Sequence, residues 1–195
     1  MAEQDTEVVE DVEVEEAPPL DPEVAARRDA ALAHVRTFGD PVLRAEARPV
    51  EVFDERLREE LARMGALMVD ALGIGLAATQ VGTLHRVLVY RVEHDSPVNA
   101  LVNPVIEWKG SEEETMEEGC LSLPGVHVDV DRPIHVRVRA QDATGEPIVI
   151  EASGLEARVI QHEIDHLDGV LILDHASREQ RKEAMRTLRE RLEAA

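Results

Sequence analysis

The stretch that organises this chain is LEARVIQHEIDHL, residues 155–167. Apolar residues recur in it at helical spacing and predict a helix packed in the core, namely Val159, Ile160, Ile164 and Leu167. His162 and His166 are four residues apart, so both imidazoles lie on one face of that helix and can reach one metal ion. Glu163 follows the first histidine and can reach a water molecule on such an ion. The alternative is a solvated helical turn that binds nothing.

Strands and further helices are predicted on both sides of this helix. Upstream, apolar residues at steps of three and four predict an amphipathic helix from Phe53 to Leu72. Alternating or β-branched runs predict strands at residues 87–90, 100–106, 134–140 and 147–151. A last helix is expected from Ser177 to the C-terminus. Because the strands are clustered between helices, we expect an α+β fold. In it, mostly antiparallel strands pack around the central HExxH helix, with an N-terminal amphipathic helix and a C-terminal helix.

Charge divides the chain into two parts. Ten acidic residues and no lysine or arginine lie in residues 1–26, within a chain of formal net charge −20. We therefore expect residues 1–34 to be an acidic, disordered extension, although residues 22–35 could form a short helix. Residues 35–195 are expected to form a single catalytic metallohydrolase domain that includes the C-terminal helix at 177–193.

Composition limits the partners and the compartment. An acidic body repels nucleic-acid phosphate, so we expect no DNA binding. No window approaches about eighteen apolar residues, and the acidic N-terminus lacks the basic start of a signal peptide. The single cysteine, Cys120, cannot form an intrachain disulfide and is typical of a reducing compartment. We therefore expect a cytoplasmic protein without membrane contact, in which any importance of Cys120 is chemical.

A catalytic metal site needs a third protein ligand beside the two histidines. A metzincin protease has its third histidine where this chain has Ile172, and His175 comes three residues too late. Glutamates of the last helix are further candidates, but each is more typical of a solvated surface: Glu179, Glu183 and Glu190. Upstream, Cys120 lies in EEGCLSLPG, residues 117–125, where glycine leaves room for the backbone to approach an ion. A thiolate with two imidazoles suits zinc or ferrous iron, so Cys120 is the predicted third ligand.

Three motifs together resemble the signatures of the peptide deformylase family. They are GIGLAATQ at residues 73–80, EGCLS at 118–122 and HEIDH at 162–166, in the family's order and at suitable separations. The resemblance covers about residues 35–190. It implies metal-dependent hydrolysis of the N-formyl group from the N-terminal formylmethionine of nascent polypeptides, with release of formate.

The resemblance also implies a role for each matching residue. One divalent metal ion per chain, expected to be Fe²⁺ with Zn²⁺, Ni²⁺ or Co²⁺ as substitutes, would be bound by Cys120, His162 and His166. Glu163 would be the acid and base. Gln80 and the backbone N–H of Leu121 would donate hydrogen bonds to the substrate oxygen as it becomes negative. Substrate-binding positions would be Ile74, Gly75, Leu76 and Glu118.

Two further points concern partners. His127 departs from the family pattern, because many members carry arginine there, and contacts with later substrate residues therefore stay open. In bacterial relatives the C-terminal helix contacts the ribosome, and the arginine-rich helix at 177–193 is expected to do so transiently; a solvated helix is the alternative.

Three other functions remain open. The first is an HExxH metalloprotease with a different third ligand. The second is a cysteine hydrolase in which Cys120 is the nucleophile. The third is a partner-binding protein without activity, which the presence of every catalytic motif residue disfavours.

Overall fold

The computed structural model describes residues 20–194 and has the α+β architecture that the sequence predicts. Its helices are α1 Pro22–Leu32, α2 Glu55–Asp70, α3 Gly154–Leu167, α4 Ile172–His175 and α5 Arg178–Ala194. Its strands are β1 Gly75–Ala77, β2 Val87–Tyr90, β3 Asn99–Lys109, β4 Glu113–Cys120, β5 Leu123–Pro133, β6 His135–Gln141 and β7 Pro147–Ser153. Among the helices in this range, none is long and apolar enough to cross a membrane.

The strands form two separate antiparallel sheets. Five of them pair in the order β1-β2-β3-β6-β7, so that β1 and β7 are the edges. The other two, β4 and β5, form a long hairpin. Burial alternates along β5, where every second side chain from Val126 to Arg132 is buried. This period of two means that one face of the hairpin packs on the core while the other faces solvent.

Helix α3, which contains HEIDH, packs against both sheets. Its contacts include β1, β2 and β7 of the large sheet and β5 of the hairpin. Its apolar stripe enters the main core cluster, where Ile160 and Leu167 are fully buried beside Leu88 and Val138. Burying a side chain of this size contributes roughly 1.5–3 kcal/mol. The helix is therefore held between the two sheets, and the backbone that carries His162, Glu163 and His166 is fixed with it.

Two other helices cover the outside of this core. Helix α2 starts at Asp54, whose carboxylate accepts a hydrogen bond from Leu57 N, and it buries an apolar face against β1 and β2. Helix α5 packs Ala184 and Leu188 against the hairpin strand β5. Helix α2 was predicted from its apolar periodicity and α5 as the last helix of the chain, and both place a charged face outwards.

The N-terminal part differs from the prediction. Helix α1 is present, with Asp21 as its N-cap and Pro22 in its first turn; Ala31 is buried, and the helix contacts α2. The folded part therefore begins before residue 35, because this helix has both a cap and a packing partner. Residues 1–19 of the predicted extension lie outside the described residues, so their disorder stays a prediction.

Three strands and one helix were not predicted. Strand β1 has only three residues, and β4 is charged and exposed along most of its length, so neither has an apolar signal. Strand β5 does alternate between apolar and polar residues, which is a signal for a strand. The apolar run at 170–173 leads into α4, where the Asp174 carboxylate accepts a hydrogen bond from Leu171 N and caps the turn.

Candidate active site

The three predicted metal ligands meet between the hairpin and α3. Cys120 ends β4, and the two histidines project from successive turns of α3. One ligand atom from each of Cys120, His162 and His166 lies within 4.8 Å of the others. Cys120 Sγ is 3.2 Å from His166 Nε2, and the two imidazole centroids are 5.0 Å apart. Sulfur and nitrogen ligands of one tetrahedral ion lie about 3.6 Å apart, so these positions suit a single ion.

The ionisation of this cluster also suits a metal. Burial would raise the pKa of the Cys120 thiol, but the neighbouring imidazoles of His166 and His162 outweigh it and hold that pKa well below its usual range. Burial would lower the pKa of His162, but hydrogen bonds with Cys120 and Glu118 hold it well above its usual range. The sulfur is therefore favoured as a thiolate, the form that binds metals.

Glu163 lies beside the cluster with an unused oxygen. Its side chain is buried, and within the described residues its Oε2 has no hydrogen-bond partner. Burial raises the pKa of Glu163 to about 7. A Cβ atom on Gly75 would lie 2.9 Å from both Cγ and Cδ of Glu163, which is closer than such atoms approach. Glycine at this position of β1 is therefore what lets the carboxylate fit.

Gln80 is oriented towards the sulfur. Its Oε1 accepts a hydrogen bond of 2.8 Å from Ala77 N, which fixes the direction of the amide. Its Nε2 donates to Ser122 Oγ at 3.2 Å and lies 3.7 Å from Cys120 Sγ. The side chain is almost fully buried, so the amide N–H donors are held in place beside the ligand cluster.

The predicted substrate-binding residues fall into different environments. Ile74 is 44% exposed. Leu121 lies close to Gly73, because a Cβ atom added to Gly73 would lie 3.0 Å from Leu121 Cδ1. Ile74 is therefore accessible to a peptide from solvent. Leu76 is fully buried in the cluster that packs under α2, so its side chain is not accessible to such a peptide. Only its backbone, on the edge strand β1, can border a bound peptide.

Glu118 is buried beside His162, and both of its carboxylate oxygens have hydrogen-bond partners. Its Oε2 is 3.0 Å from His162 Nδ1. Arg132 donates to both of its oxygens at 2.6 and 3.0 Å, and Arg158 donates to Oε1 at 2.8 Å. Burial would raise the pKa of Glu118, but the hydrogen bonds from His162 and Arg132 outweigh it and hold that pKa far below its usual range. With Nδ1 engaged, His162 is left with Nε2 as its ligand atom.

The two arginines were not predicted as functional residues. A signal for each exists in the sequence, because Arg132 occupies an inward position of the alternating strand β5 and Arg158 lies one helical turn before His162. A charged residue at an inward position needs a buried partner. That partner, Glu118, is distant in the chain, so the pairing itself could not be predicted.

The remaining candidates lie elsewhere. His175 Nε2 is 2.9 Å from Asp165 Oδ2, and this pair does not include any residue of the ligand cluster. The α5 glutamates Glu179, Glu183 and Glu190 are exposed. His127 pairs with Gly119 across the hairpin, and a Cβ on that glycine would lie 3.0 Å from its ring. His127 therefore lies beside the end of β4 that carries the cysteine.

Sequence comparison identifies close relatives. The family profile for polypeptide deformylase matches residues 32–182. The peptide deformylase of Acidothermus cellulolyticus is 47% identical over 160 residues, which cover 82% of this chain and 87% of that protein. Peptide deformylase 1 of Corynebacterium efficiens is 48% identical over 157 residues, which cover 80% of this chain and 93% of that protein. The profile match spans the positions of all three motifs.

Structural comparison leads to the same family. A peptide deformylase from Synechococcus elongatus in complex with actinonin superposes with a TM-score of 0.76 at 42% identity, over 78% of this chain and 85% of that one. The Thermotoga maritima enzyme superposes with a TM-score of 0.71 at 45% identity, over 73% of this chain and 96% of that one. The resemblance drawn from three motifs is thus confirmed. The chain belongs to the polypeptide deformylase family.

Proposed function

We propose that the cleft between β1, the end of β4 and α3 is where this family member hydrolyses the N-formyl group of formylmethionine peptides and releases formate. The observation that carries the proposal is the meeting of one sulfur and two imidazoles within 4.8 Å, beside a buried carboxylate with a free oxygen. A thiolate and two imidazoles leave the fourth position of a tetrahedral ion open, which is the arrangement of catalytic metal sites.

The family is metal-dependent, and the donors present here fit a divalent ion. Cys120, His162 and His166 would hold one ion per chain, and the soft thiolate suits Fe²⁺ or Zn²⁺, with Ni²⁺ and Co²⁺ as substitutes. We expect Fe²⁺ as the native ion. When bound, the ion polarises the formyl oxygen and lowers the pKa of water from about 15.7 towards about 7.

Glu163 would move the protons of the reaction. It is the buried carboxylate closest in sequence to a ligand, and its Oε2 is free to accept a proton from the attacking water. The same carboxyl then delivers a proton to the amine that leaves. General acid–base catalysis of this kind typically contributes roughly 10²–10⁴ in rate.

Gln80 and the backbone N–H of Leu121 would stabilise the formyl oxygen as it becomes negative. The bond from Ala77 N fixes the direction of the Gln80 amide before substrate arrives. Leu121 follows the cysteine directly, which brings its N–H next to the ligand cluster. Removing one such donor costs about 10²–10³ in kcat.

Substrate would lie along the free edge of β1. Gly75 offers backbone hydrogen bonds there, with Ile74 and the backbone of Leu76 bordering the peptide. Gly73 and Gly75 are both crowded by side chains of the site, by Leu121 and Glu163 respectively. A site this tight admits a formyl group, whose carbon carries only hydrogen, and excludes acetyl and longer acyl groups. Glu118, expected at the substrate, instead supports His162 in this proposal.

Metal analysis and formyl-Met-peptide hydrolysis on anaerobically purified protein test this function. We expect one metal ion per chain in both the wild type and Glu163→Gln, but activity only in the wild type. A Glu163→Gln variant with wild-type kcat/KM would refute the role of this carboxyl. A wild-type protein that is metal-loaded and folded but inactive would refute the function.

A transient ribosome contact through α5 is a further part of the proposal. The helix buries Ala184 and Leu188 on β5, which leaves an exposed face that includes several cations: Arg178, Arg181, Lys182, Arg186 and Arg189. Such a face can approach RNA phosphate on an otherwise acidic protein. Cosedimentation with ribosomes should decrease when Arg189 and Lys182 are both changed to Glu, and an unchanged pellet fraction would refute the contact. Cytoplasmic location and the lack of DNA binding stay predictions.

A further inference from the structure

Arg158 connects three elements that surround the ligand cluster. It is 6% exposed and lies on α3, four residues before His162. Its Nη1 donates to Glu118 Oε1 at 2.8 Å and to Val130 O at 2.9 Å, and its Nη2 donates to Glu114 O at 2.6 Å. One guanidinium thus links the helix that carries the histidines with β5 and with β4, the strand that carries the cysteine.

The hydrogen bonds on Glu118 show what this linkage controls. Oε1 accepts from Arg132 Nε and Arg158 Nη1, while Oε2 faces Arg132 Nη2 and His162 Nδ1. Arg132, which also donates to Asp165 Oδ2 at 2.8 Å, holds the carboxylate from one side. Arg158 holds it from a second direction and is itself anchored to two backbone carbonyls. Together these bonds restrict the rotation of the carboxylate and, through the contact with Nδ1, the rotation of the His162 imidazole.

We propose that Arg158 is a positioning residue for the metal centre, acting through Glu118 to fix the rotation of the His162 ring. This inference rests on the proposed metal centre and adds a residue that touches neither metal nor substrate. Because His162 Nδ1 must face Glu118, its Nε2 must face the cluster of Cys120 and His166. Hydrogen-bonded supports of ligating histidines commonly change metal affinity or activity by 10–100-fold when they are removed.

The competing explanation is that Arg158 only stabilises the docking of the hairpin on α3. A matched control separates the two explanations. Arg86 is also a mostly buried arginine, and it donates to Pro104 O at 3.1 Å and to Asp168 Oδ1 at 2.7 Å, without any bond to Glu118. Its loss should lower thermal stability without disturbing the orientation of His162.

The test uses Co²⁺-loaded full-length protein, with the visible absorption of Co²⁺ and its rate of release to a chelator as readouts. For Arg158→Met we expect an altered absorption spectrum and a release that is roughly 10–100-fold faster than in the wild type. For Arg86→Met we expect a lower Tm but the wild-type spectrum and release rate. An Arg158→Met protein that keeps the wild-type spectrum and release rate would overturn the positioning role.

A double-mutant cycle with Glu118→Gln tests the same proposal even if the single variant Arg158→Met folds poorly. Adding Arg158→Met to Glu118→Gln removes a buried cation together with a buried anion, so the double variant keeps its charge balance. If Arg158 acts through Glu118, the added change should alter the release rate by less than about twofold, because coupled residues are not additive. Effects that multiply fully would overturn the proposal.

The wild-type protein distinguishes failure of this inference from failure of the proposed function. If the wild type shows no cobalt–thiolate absorption, the metal centre itself is refuted, and the positioning role falls with it. If the wild type shows that absorption and the Arg158 variants do not differ from it, only the positioning role is refuted.

Discussion

Replacing Gly75 with alanine should inactivate the enzyme while leaving its fold and its metal in place. Gly75 does not have a positive φ, so the backbone of β1 accepts alanine without strain. The obstacle is the side chain of Glu163, whose Cγ and Cδ would both lie 2.9 Å from the new methyl carbon. Because β1 is buried and paired with β2, the carboxylate has to move rather than the strand.

The magnitude follows from the size of that movement. Relieving the contact requires a shift of about 1 Å, and a misplacement of this size costs on the order of 10² in rate. The upper limit is the whole contribution of a general base, roughly 10⁴. We therefore expect kcat/KM to fall by about 10²–10⁴. Overpacking should also destabilise the fold, by about 1–3 kcal/mol.

The assay is hydrolysis of a formyl-Met peptide together with metal content and Tm. Gly110→Ala is the control, because a Cβ atom there would meet its nearest neighbours at 3.4 Å, an ordinary contact, and Gly110 also lacks a positive φ. We expect the control to keep wild-type activity and both variants to keep one metal ion. The reasoning is refuted if Gly75→Ala retains kcat/KM within about threefold of the wild type while Glu163→Gln is inactive.

Four other predictions concern the metal and pH. Cys120→Ala should abolish metal binding as measured by elemental analysis; retained metal would favour a protease-like site with another third ligand. A chelator should stop the reaction and added metal should restore it, whereas a cysteine hydrolase would be unaffected by the chelator. In air, the Fe²⁺ form should lose activity faster than the Ni²⁺ form, because iron and then the thiolate are oxidised. Equal loss of activity by the two forms would contradict this prediction. Asp174→Asn should lower Tm near neutral pH by an amount that shrinks as the pH falls. Burial would raise the pKa of Asp174, but hydrogen bonds from Arg44 and Leu171 N outweigh it and lower that pKa, so the stabilisation is present above the unfolded-state pKa of about 3.9 and is lost as pH falls through the lower folded-state value. A Tm difference that stays constant down to acidic pH would argue against this ion pair.

The elements predicted well are those whose burial follows a simple period. Helices α2 and α3 bury one stripe, and strand β6 alternates between buried valines and exposed arginines, so each leaves its pattern in the sequence. The clustering of Cys120 with His162 and His166 was also predictable, because HExxH spacing places two imidazoles on one helix face and the chain has a single cysteine. Strand β4 was not predictable. It is exposed along most of its length, and it is a strand because it pairs with β5. The pairing starts with Glu113 opposite Pro133.

The support of the site was less predictable than the site itself. Glu118, Arg132 and Arg158 form one buried cluster, yet Arg132 is 14 residues and Arg158 is 40 residues from Glu118 in sequence. No local pattern relates positions at such distances. The inward positions of Arg132 in β5 and of Arg158 in α3 show that a buried anion must exist in the fold, but they do not show which residue it is.

Cys120 lies at the end of the hairpin strand β4, whereas His162 and His166 lie on helix α3, and this separation affects how the enzyme matures. The thiol of Cys120 is 46 residues ahead of the ring of His166, so it leaves the ribosome well before either imidazole during synthesis. The hairpin must first dock on α3 before any ion meets all three donors at once. Metal loading is therefore expected to be a late event in the life of each molecule, and the apolar clusters of the fold have to form before the three donors can hold an ion.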